Sequence, residues 1–486
     1  MRSETVTRTV RYDEYDRVAL KRVVDELWET VGLRLLEALI AIPAQSPGFD
    51  PQWDATGDLR RAVELVNSWS TSRPISGLLG RVIDHTSLSP VLLLEIPAAN
   101  QSASDDTVLF YGHLDKQPAG AGWREGLRPW QAVREGDRLY GRGAVDDGYA
   151  VVSFLIAVEA LRRAGGRHAR FVGLFETSEE SGSVHLPPLL DVARDRIGDP
   201  SLIVALDASA GSYDRLWSTV SLRAVVDAKL RVEVLGQPHH CGMASGIVPS
   251  SFRIIRRLLS RIEDERTGEL LPAFLKVPIP DERRRQLVEA ASVLGAGVCA
   301  PFDFVTGAGP VSRDPVELLL NNTWRPTMAV LAQDGLPPFT AKAHLMRTHT
   351  ALELSFRFPP GLDIGEAKRR LAELLTADPP YGARVTVEWS STCSGWDAPP
   401  APAWLERASH EASATYFGKP PLSIGCGGAI PFVNMLQERH PSTAFFISGV
   451  CGPGANAHGP NEFLHIPAAK SLTCCVAHLL HEHARH

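Results

Sequence analysis

The chain has 486 residues, of which 44% are hydrophobic and 22% charged, and its formal net charge is −6. This composition is typical of a folded protein with domains of about 100–200 residues each, and the weak net charge disfavours nucleic acid or an anionic membrane surface as a partner. No apolar run approaches the roughly 20 residues that cross a bilayer, and the N-terminus lacks the apolar segment of a signal peptide. Seven cysteines without a CxxC pair favour reduced thiols, so we expect a cytoplasmic protein without membrane contact.

In the first half of the chain, apolar spacing predicts helices near residues 14–45 and 60–70. From about residue 90 to 215, short apolar runs alternate with helical patterns. We interpret PVLLLEIPA, TVLFYGHLD, RFVGLFETSEE and SLIVALDAS as strands and GYAVVSFLIAVEALRRAG as a long helix. Continuous apolar strands alternating with helices are typical of a mixed, largely parallel sheet that is covered by helices.

The pattern changes near residue 220, where VSLRAVVDAKLRVEVLG alternates apolar and polar residues as a half-exposed strand does. The order of elements that follows, β-α-β-β-α-β, favours a small ferredoxin-like α+β domain. The segment 262–322 interrupts this order and is assigned no element or role from its sequence. The first pattern returns near residue 396. We therefore predict an α/β domain built from 1–217 and 393–486, with a smaller domain inserted at 218–392. The C-terminal HLLHEHARH is interpreted as a frayed helix end.

Acidic and imidazole side chains follow several predicted strands or precede the long helix: His113, Asp115, Asp146, Asp147, Glu179, Glu180, Asp207 and His458. Each alone has an ordinary explanation, such as capping of a helix by an aspartate. Together they would meet at the carboxyl edge of a parallel sheet, where ligand sites form. Almost no Lys or Arg accompanies them, so the natural counterions are divalent metals. Two ions suit this number of ligands, and zinc, manganese or cobalt suit mixed imidazole and carboxylate donors.

The motifs GHLDKQP, LYGRGAVDDG, ETSEESGS, ALDAS and AHGPNE occur in this order within a region of roughly residues 20–480. Together they resemble the dinuclear zinc exopeptidase family of carnosinases, cytosolic nonspecific dipeptidase, aminoacylase and glutamate carboxypeptidase. They are most similar to its carnosinase-like dipeptidase branch, although the lysine of the family's DDKG is absent. The resemblance implies a phosphorylase/hydrolase-like catalytic domain, with the inserted domain acting as a lid that also forms a homodimer.

The resemblance also implies how the metal ligands are shared. His113 and Asp207 would bind one metal ion, Glu180 and His458 would bind the other, and Asp146 would bridge both. Zinc is the expected metal, with manganese or cobalt as alternatives.

Two further roles follow from the resemblance. Glu179 would be the general base that takes a proton from a metal-activated bridging water. Asp115 would hydrogen-bond His113 and fix the tautomer of its imidazole. The residues alone do not decide which of Glu179 and Glu180 has which role.

Within the inserted domain, His240 in the segment LGQPHHCGMASG resembles a lid histidine that reaches the active site of the partner subunit and stabilises the oxyanion. His239 is a competing candidate, and Cys241 stands where the family has serine. The alternative is a loop histidine with a local hydrogen bond.

Two more matches concern substrate binding. Arg357 in SFRFPPG resembles the arginine that binds the substrate's C-terminal carboxylate, a bidentate task that suits a guanidinium; the alternative is an ordinary surface arginine. The segment GCGGAIP, with Gly427 and Gly428, resembles the loop whose backbone contacts the substrate.

We therefore expect a metallo-exopeptidase of dipeptidase or carboxypeptidase type that hydrolyses dipeptides or short peptides. Two alternatives stay open. The first is an N-acyl-amino-acid amidohydrolase with the same two metals. The second is a scaffold that has lost catalysis, which the complete ligand set disfavours.

Overall fold

The computed structural model describes residues 15–99 and 106–486. The chain forms two compact units. The first contains residues up to Ser218 together with Pro399–Pro421 and His440–His486, and the second contains Thr219–Ala398 together with Leu422–Arg439. The sequence pattern places all of 393–486 in the first domain, whereas in the structure the segment 422–439 packs in the second unit.

The strands are, in chain order, β1 (Leu79–Ile83), β2 (Val91–Ile96), β3 (Thr107–His113), β4 (Val133–Glu135), β5 (Arg138–Tyr140), β6 (Arg170–Glu176), β7 (Pro200–Ala205), β8 (Trp217–Leu222), β9 (Ala224–Glu233), β10 (His239–His240), β11 (Thr327–Asp334), β12 (Leu345–Met346), β13 (His349–Phe358), β14 (Arg384–Cys393), β15 (Trp396–Asp397), β16 (Leu422–Cys426), β17 (Ala444–Ile447) and β18 (Phe463–His465).

The α-helices are α1 (Arg17–Leu27), α2 (Leu33–Ile40), α3 (Trp53–Thr56), α4 (Asp58–Thr71), α5 (Tyr149–Arg163), α6 (Leu186–Ile197), α7 (Cys241–Ala244), α8 (Ser251–Leu259), α9 (Asp281–Leu294), α10 (Pro315–Thr323), α11 (Ile364–Thr376), α12 (Ala403–Tyr416), α13 (Pro431–Arg439) and α14 (Ile466–His483). Within the described ranges, no helix has the length and apolarity needed to cross a membrane.

The first unit is built on a six-stranded sheet in the order β1-β2-β6-β3-β7-β17. Strands β6, β3, β7 and β17 are parallel to one another, and β2 runs antiparallel to both β1 and β6. Every residue of β3 is buried, as expected for a strand inside a sheet with both faces covered. Helix α5 is buried from Tyr149 to Leu161 and packs against α1 and α14. The predicted mixed, largely parallel sheet with flanking helices is confirmed.

The helical pattern near 14–45 forms α1 and α2, joined by one wider helical turn, Trp28–Gly32. Gly32 lies against α5: a Cβ atom added there would be 2.9 Å from Cγ1 of Val152 and 3.0 Å from Cδ1 of Ile156. A side chain at this position would force the side chains of Val152 and Ile156 to shift, so glycine allows the close approach of this turn to α5.

The histidine-rich end of the chain is ordered, so the interpretation as a frayed helix end is wrong. Helix α14 extends to His483, and His478, His481 and His483 are all buried. The imidazoles have partners: Nδ1 of His478 is 2.7 Å from Oη of Tyr15, and Nε2 of His483 is 2.8 Å from Oγ of Ser201. Burial lowers the pKa of His478 to about 4, so this ring is neutral at pH 7.

The second unit contains the four-stranded antiparallel sheet β11-β13-β9-β14. Along the chain its elements follow the order β9-α8-β11-β13-α11-β14, which is the predicted β-α-β-β-α-β order. Buried residues alternate with partly exposed ones along β9, and the buried residues form one core with α8 and α11. The single strand predicted from residue 220 onward is divided at Arg223 into β8 and β9.

The segments with the least regular sequence pattern also belong to the second unit. The uninterpreted segment 262–322 contains α9 and α10. Strand β16 joins a three-stranded sheet in the order β15-β8-β16, and the indole of Trp396 hydrogen-bonds Gln437 of α13. This sheet explains why 422–439 groups with the second unit although its sequence resembles the first.

The core of the second unit provides a test of its packing. Phe356 is fully buried and its ring stacks on Phe358 with the centroids 5.5 Å apart. We expect Phe356→Ala to lower the free energy of unfolding by about 3–5 kcal/mol, because the remaining side chains cannot fill the cavity. The matched control is Phe339→Ala, since the Phe339 side chain is 95% exposed. Urea denaturation of both variants measures the difference, and equal losses would contradict the packing described here.

Candidate metal and active site

Three parallel strands bring predicted site residues to one edge of the sheet. His113 is the last residue of β3, and it pairs in register with Glu176, the last residue of β6. Glu179 and Glu180 lie in the turn after β6, and Asp207 follows β7. Because these strands are parallel, their carboxyl ends meet at the same edge.

The five predicted metal ligands form two groups that share one aspartate. The groups are His113, Asp146 and Asp207, and Asp146, Glu180 and His458, and in each group the candidate ligand atoms lie within 4.8 Å of one another.

Distances within the groups show how Asp146 is shared. Its Oδ1 is 3.2 Å from Nε2 of His113, and its Oδ2 is 2.9 Å from Nε2 of His458. The Nε2 atom of His113 is also 3.8 Å from Oδ2 of Asp207, and that of His458 is 3.1 Å from Oε2 of Glu180. Each oxygen of Asp146 thus faces a different histidine, which is the arrangement needed to bridge two cations.

The carboxylates of the site are paired with histidines and not with Lys or Arg. Burial raises the pKa of Asp207 to about 7, and the charge of Asp146 adds to this effect. Burial raises the pKa of Glu180 as well, again with a contribution from Asp146. In the part of the chain that the structure describes, no Lys or Arg forms an ion pair with Asp146, Glu179, Glu180 or Asp207. One imidazole and two carboxylates per group therefore fit divalent cations in both charge and donor type.

Glu179 lies beside the first group and belongs to the same turn as Glu180. Its Oε2 is 4.0 Å from Nε2 of His113. Burial raises the pKa of Glu179 well above that of an exposed glutamate, and the charge of Asp207 acts in the same direction. A carboxylate that prefers to hold a proton is suited to general-base chemistry next to a water or a leaving amine.

Asp115 contacts His113, as predicted from the sequence, and it also contacts the turn that contains Glu179 and Glu180. Its backbone carbonyl is 3.1 Å from Nδ1 of His113, closer than its carboxylate oxygen Oδ1 at 3.5 Å. The carboxylate also accepts hydrogen bonds from the backbone N–H groups of Glu179 (3.2 Å) and Glu180 (3.0 Å). Asp115 therefore joins the end of β3 to the turn that carries both glutamates.

Sequence reasoning missed two further residues that hold this turn. The amide of Gln117 donates to Oε2 of Glu180 at 2.7 Å, and the backbone N–H of Gln117 donates to Oε1 at 3.1 Å. Glu176 accepts hydrogen bonds from the hydroxyls of Ser178 and Ser183 at the two ends of the turn. Both residues lie in the quoted motifs GHLDKQP and ETSEESGS, but nothing in the sequence shows which atoms they contact.

The other predicted site residues belong to the second unit. His240 is exposed on the two-residue strand β10, where it pairs with Leu345 of β12. A Cβ atom at Gly242 would lie 3.1 Å from Cε1 of His240, so glycine in this position makes room for the imidazole. His239, the competing candidate, is also exposed.

Arg357 lies on β13 and Gly427 and Gly428 follow β16, all of them partly buried. Arg223, which sequence reasoning missed, donates a hydrogen bond to the carbonyl of Gly427 at 3.3 Å and to Oγ1 of Thr327 at 3.0 Å. Burial lowers the pKa of Arg223 to about 10, and the positive charge of Arg357 contributes. Two guanidinium groups and the glycine turn are thus neighbours in the second unit.

Comparison with known proteins identifies the family. The profile of peptidase family M20/M25/M40 matches residues 109–482. The chain belongs to this family. The cysteinylglycine-S-conjugate dipeptidase of Corynebacterium striatum is 25% identical over 378 residues, which are 75% of this chain and 80% of that protein. The Beta-Ala-His dipeptidase of Homo sapiens is 25% identical over 389 residues, or 77% and 74% of the two chains.

A solved structure of the same fold is that of the dipeptidase Dug1p from Saccharomyces cerevisiae. It superposes with a TM-score of 0.77 at 20% sequence identity, and the alignment covers 97% of this chain and 99% of that chain. The predicted fold class is thereby confirmed. Membership of the M20/M25/M40 peptidases confirms the resemblance found in the motifs and the predicted enzyme class, a metallo-exopeptidase.

The ligand groups predict that divalent cations stabilise the folded chain. With free Zn²⁺ at about 100 times its dissociation constant, we expect the free energy of unfolding to rise by about 2.7 kcal/mol for each ion bound, since the unfolded chain lacks the assembled site. Asp146→Ala should abolish most of this gain because Asp146 belongs to both groups. The matched control is Asp195→Ala at an exposed position of α6. Thermal unfolding with Zn²⁺ and with a chelator measures the effect, and equal Zn²⁺ responses in the two variants would rule out the assigned ligands.

Proposed function

We propose that the protein is a dipeptidase that uses two divalent cations, one in each ligand group. The observation that carries this proposal is the shared carboxylate of Asp146, with one oxygen towards each histidine and Glu179 beside the first group. The two relatives described above are named as dipeptidases for cysteinylglycine S-conjugates and for Beta-Ala-His. We extend that substrate class, dipeptides or short peptides, to this chain.

Zinc is the proposed metal, and manganese or cobalt would suit the same imidazole and carboxylate donors. His113 and Asp207 would hold one ion, Glu180 and His458 would hold the other, and Asp146 would bridge them. When bound, such a pair supplies positive charge that acidifies a bound water and polarises the scissile carbonyl.

The chain's own residues would then handle the protons. Glu179 accepts a proton from the attacking water as the new C–O bond forms. It delivers that proton to the amide nitrogen as the C–N bond breaks, so the amine leaves neutral. Asp115 and Gln117 keep the turn of Glu179 and Glu180 in place during both steps, because they hydrogen-bond its backbone and the Glu180 carboxylate.

In this proposal the first unit is the catalytic domain and the second is the lid and dimerisation domain. His240 would stabilise the oxyanion in the active site of a partner subunit. Its exposure on β10 supports a role outside its own unit's core.

Arg357 would bind the substrate's C-terminal carboxylate, and the backbone at Gly427 and Gly428 would contact the substrate. Two features support an anion subsite. Arg357 and Arg223 are close enough for their charges to interact. The partners of Arg223 are carbonyl and hydroxyl oxygens, so its positive charge is not neutralised by a carboxylate among the described residues. Carboxylates are the natural partners of such guanidinium groups.

A cytoplasmic location and a homodimer complete the proposal. None of the seven cysteines, all within the described ranges, forms a disulfide, which supports a reducing compartment.

The central test is Glu179→Gln, which keeps the shape of the side chain and removes the base. We expect the variant to retain about two metal ions per chain. Its turnover number for dipeptides should fall by about 100-fold to 10,000-fold. Metal analysis and steady-state kinetics measure the two quantities. Unchanged turnover would exclude Glu179 as the base, and a wild-type chain that binds no metal would exclude the proposed centre.

Steady-state kinetics with a panel of dipeptides and N-acyl amino acids distinguishes a dipeptidase from an N-acyl-amino-acid amidohydrolase. We expect a higher kcat/KM for dipeptides, the substrate class named for the two relatives. N-acyl amino acids carry the same free carboxylate that Arg357 would bind, so the difference reports on the group at the other end of the substrate. Faster hydrolysis of N-acyl amino acids with blocked or bulky acyl groups would favour the amidohydrolase instead.

The proposed role of His240 can be tested with its neighbour His239 as the control. We expect His240→Ala to lower kcat by about 100-fold to 1,000-fold, as removal of one oxyanion donor does, and His239→Ala to have little effect. Hybrid dimers of His240→Ala and Glu179→Gln chains should regain activity at one of their two sites, because each chain supplies what the other lacks. Hybrids as inactive as the parents would place His240 outside the partner's site, and monomers in sedimentation experiments would exclude the dimer.

A further inference from the structure

Behind the ligand groups lies a buried ion pair that has no part in the chemistry proposed above. Nη1 of Arg142 is 2.7 Å from Oε2 of Glu462, and the side chains are 1% and 0% exposed. Burial of two charges costs free energy that the mutual attraction of a pair seldom exceeds by much. Their other contacts are therefore informative about what the pair does.

Arg142 connects two loops. Its Nη2 donates to the backbone carbonyl of His458 at 2.9 Å, and its Nε donates to that of Pro118 at 3.2 Å. His458 has a φ of +64°, in the left-handed region that residues other than glycine rarely adopt. The hydrogen bond from Arg142 holds this carbonyl, and so helps to keep the His458 backbone in a conformation that points the imidazole at Asp146 and Glu180.

Glu462 binds the backbone of the turn that contains Asp146. Its Oε1 accepts hydrogen bonds from the backbone N–H groups of Val145 (3.2 Å) and Asp146 (3.4 Å), while Oε2 binds Arg142. The backbone of Glu462 is also fixed, since its carbonyl accepts from the N–H of Gly141 at 3.0 Å. One carboxylate thus positions the turn that presents Asp146.

We propose that Arg142 and Glu462 are positioning residues that set the affinity of the group Asp146, Glu180 and His458 for a divalent cation. The pair fixes the backbone of two of these three ligands and contacts neither Asp207 nor the side chain of His113. Loss of the pair therefore weakens the second ligand group more than the first. This inference rests on the proposed metal centre and is independent of the substrate.

The test compares three variants with wild type. Arg142→Lys keeps a positive charge but removes the fork of donors that reaches Glu462, His458 and Pro118 together. Glu462→Gln keeps the shape of the side chain but places an amide NH₂ where one acceptor oxygen was. Arg73→Lys is the control. Arg73 and the buried Glu159 form another ion pair of the first unit, with the charged atoms 2.6 Å apart and the Arg73 side chain 11% exposed, and this pair contacts none of the ligands.

Metal binding is read by titration of Zn²⁺ against a chromogenic chelator, and thermal unfolding of the metal-free chains is measured in parallel. We expect wild type and Arg73→Lys to bind two Zn²⁺ ions with the same affinities. In Arg142→Lys and Glu462→Gln one of the two ions should bind about 10-fold to 100-fold more weakly, as when an outer partner of a metal ligand is removed.

The measurements distinguish an ion pair that sets metal affinity from one that only stabilises the fold. If Arg142→Lys and Glu462→Gln unfold at lower temperature, as Arg73→Lys does, but bind both ions as wild type does, the pair is only structural and the inference is wrong. Equal weakening of both ions would also contradict it. A wild-type chain that binds no Zn²⁺ would instead overturn the proposed metal centre. If Arg142→Lys does not fold, the isosteric Glu462→Gln decides alone.

Discussion

The site depends on one electrostatic constraint: several carboxylates are gathered in a buried space with only histidines among them. Four carboxylates lie at or near the carboxyl edge of the parallel strands, and no Lys or Arg of the described chain pairs with them: Asp146, Glu179, Glu180 and Asp207. Burial raises the pKa of Asp207 to about 7 because its negative charge is poorly stabilised there. Such a cluster is stable as an ionised group only with positive charge inside it. The chemistry of a metallopeptidase follows from satisfying that condition with divalent cations.

The residues around the cluster fix the positions of the ligand side chains. The ligands lie at the ends of buried strands and on turns whose backbone is fixed by hydrogen bonds. Asp115 accepts hydrogen bonds from the turn of Glu179 and Glu180, and Glu462 accepts them from the turn of Asp146. Since each of these contacts involves backbone N–H groups, the positions of the ligands are set by the main chain. The precision of the site thus comes from the layer of residues behind the ligands as much as from the ligands themselves.

Much of this could be predicted from the sequence, for a physical reason. Buried parallel strands appear as continuous apolar runs, so a His113 or an Asp207 at the end of one is conspicuous, and the edge where such strands end is known in advance. The β-α-β-β-α-β order of the second unit was equally visible in its periodicity. Motif resemblance added the assignment of roles, which spacing alone left open between Glu179 and Glu180.

Other features depend on contacts between residues far apart in the chain, and periodicity carries no information about these. The segment 422–439 joins the second unit because β16 extends the sheet of β8 and β15, although its own sequence looks like the first unit. The C-terminal histidines were misread because a polar helix end can be buried where Tyr15 and Ser201 offer partners. Arg142, Gln117 and Glu462 were present in the quoted motifs, but their roles require knowledge of which backbone atoms face them.

The two ligand groups differ in how much of the chain they need. His113, Asp146 and Asp207 all precede the second unit, whereas His458 is synthesised only after the whole of that unit. During translation, the nascent polypeptide therefore contains all three residues of the first group early, whereas the second group is complete only after both the inserted unit and the returning segment have been synthesised. A translation product that stops before residue 458 contains the whole of the first ligand group but only two of the three residues of the second.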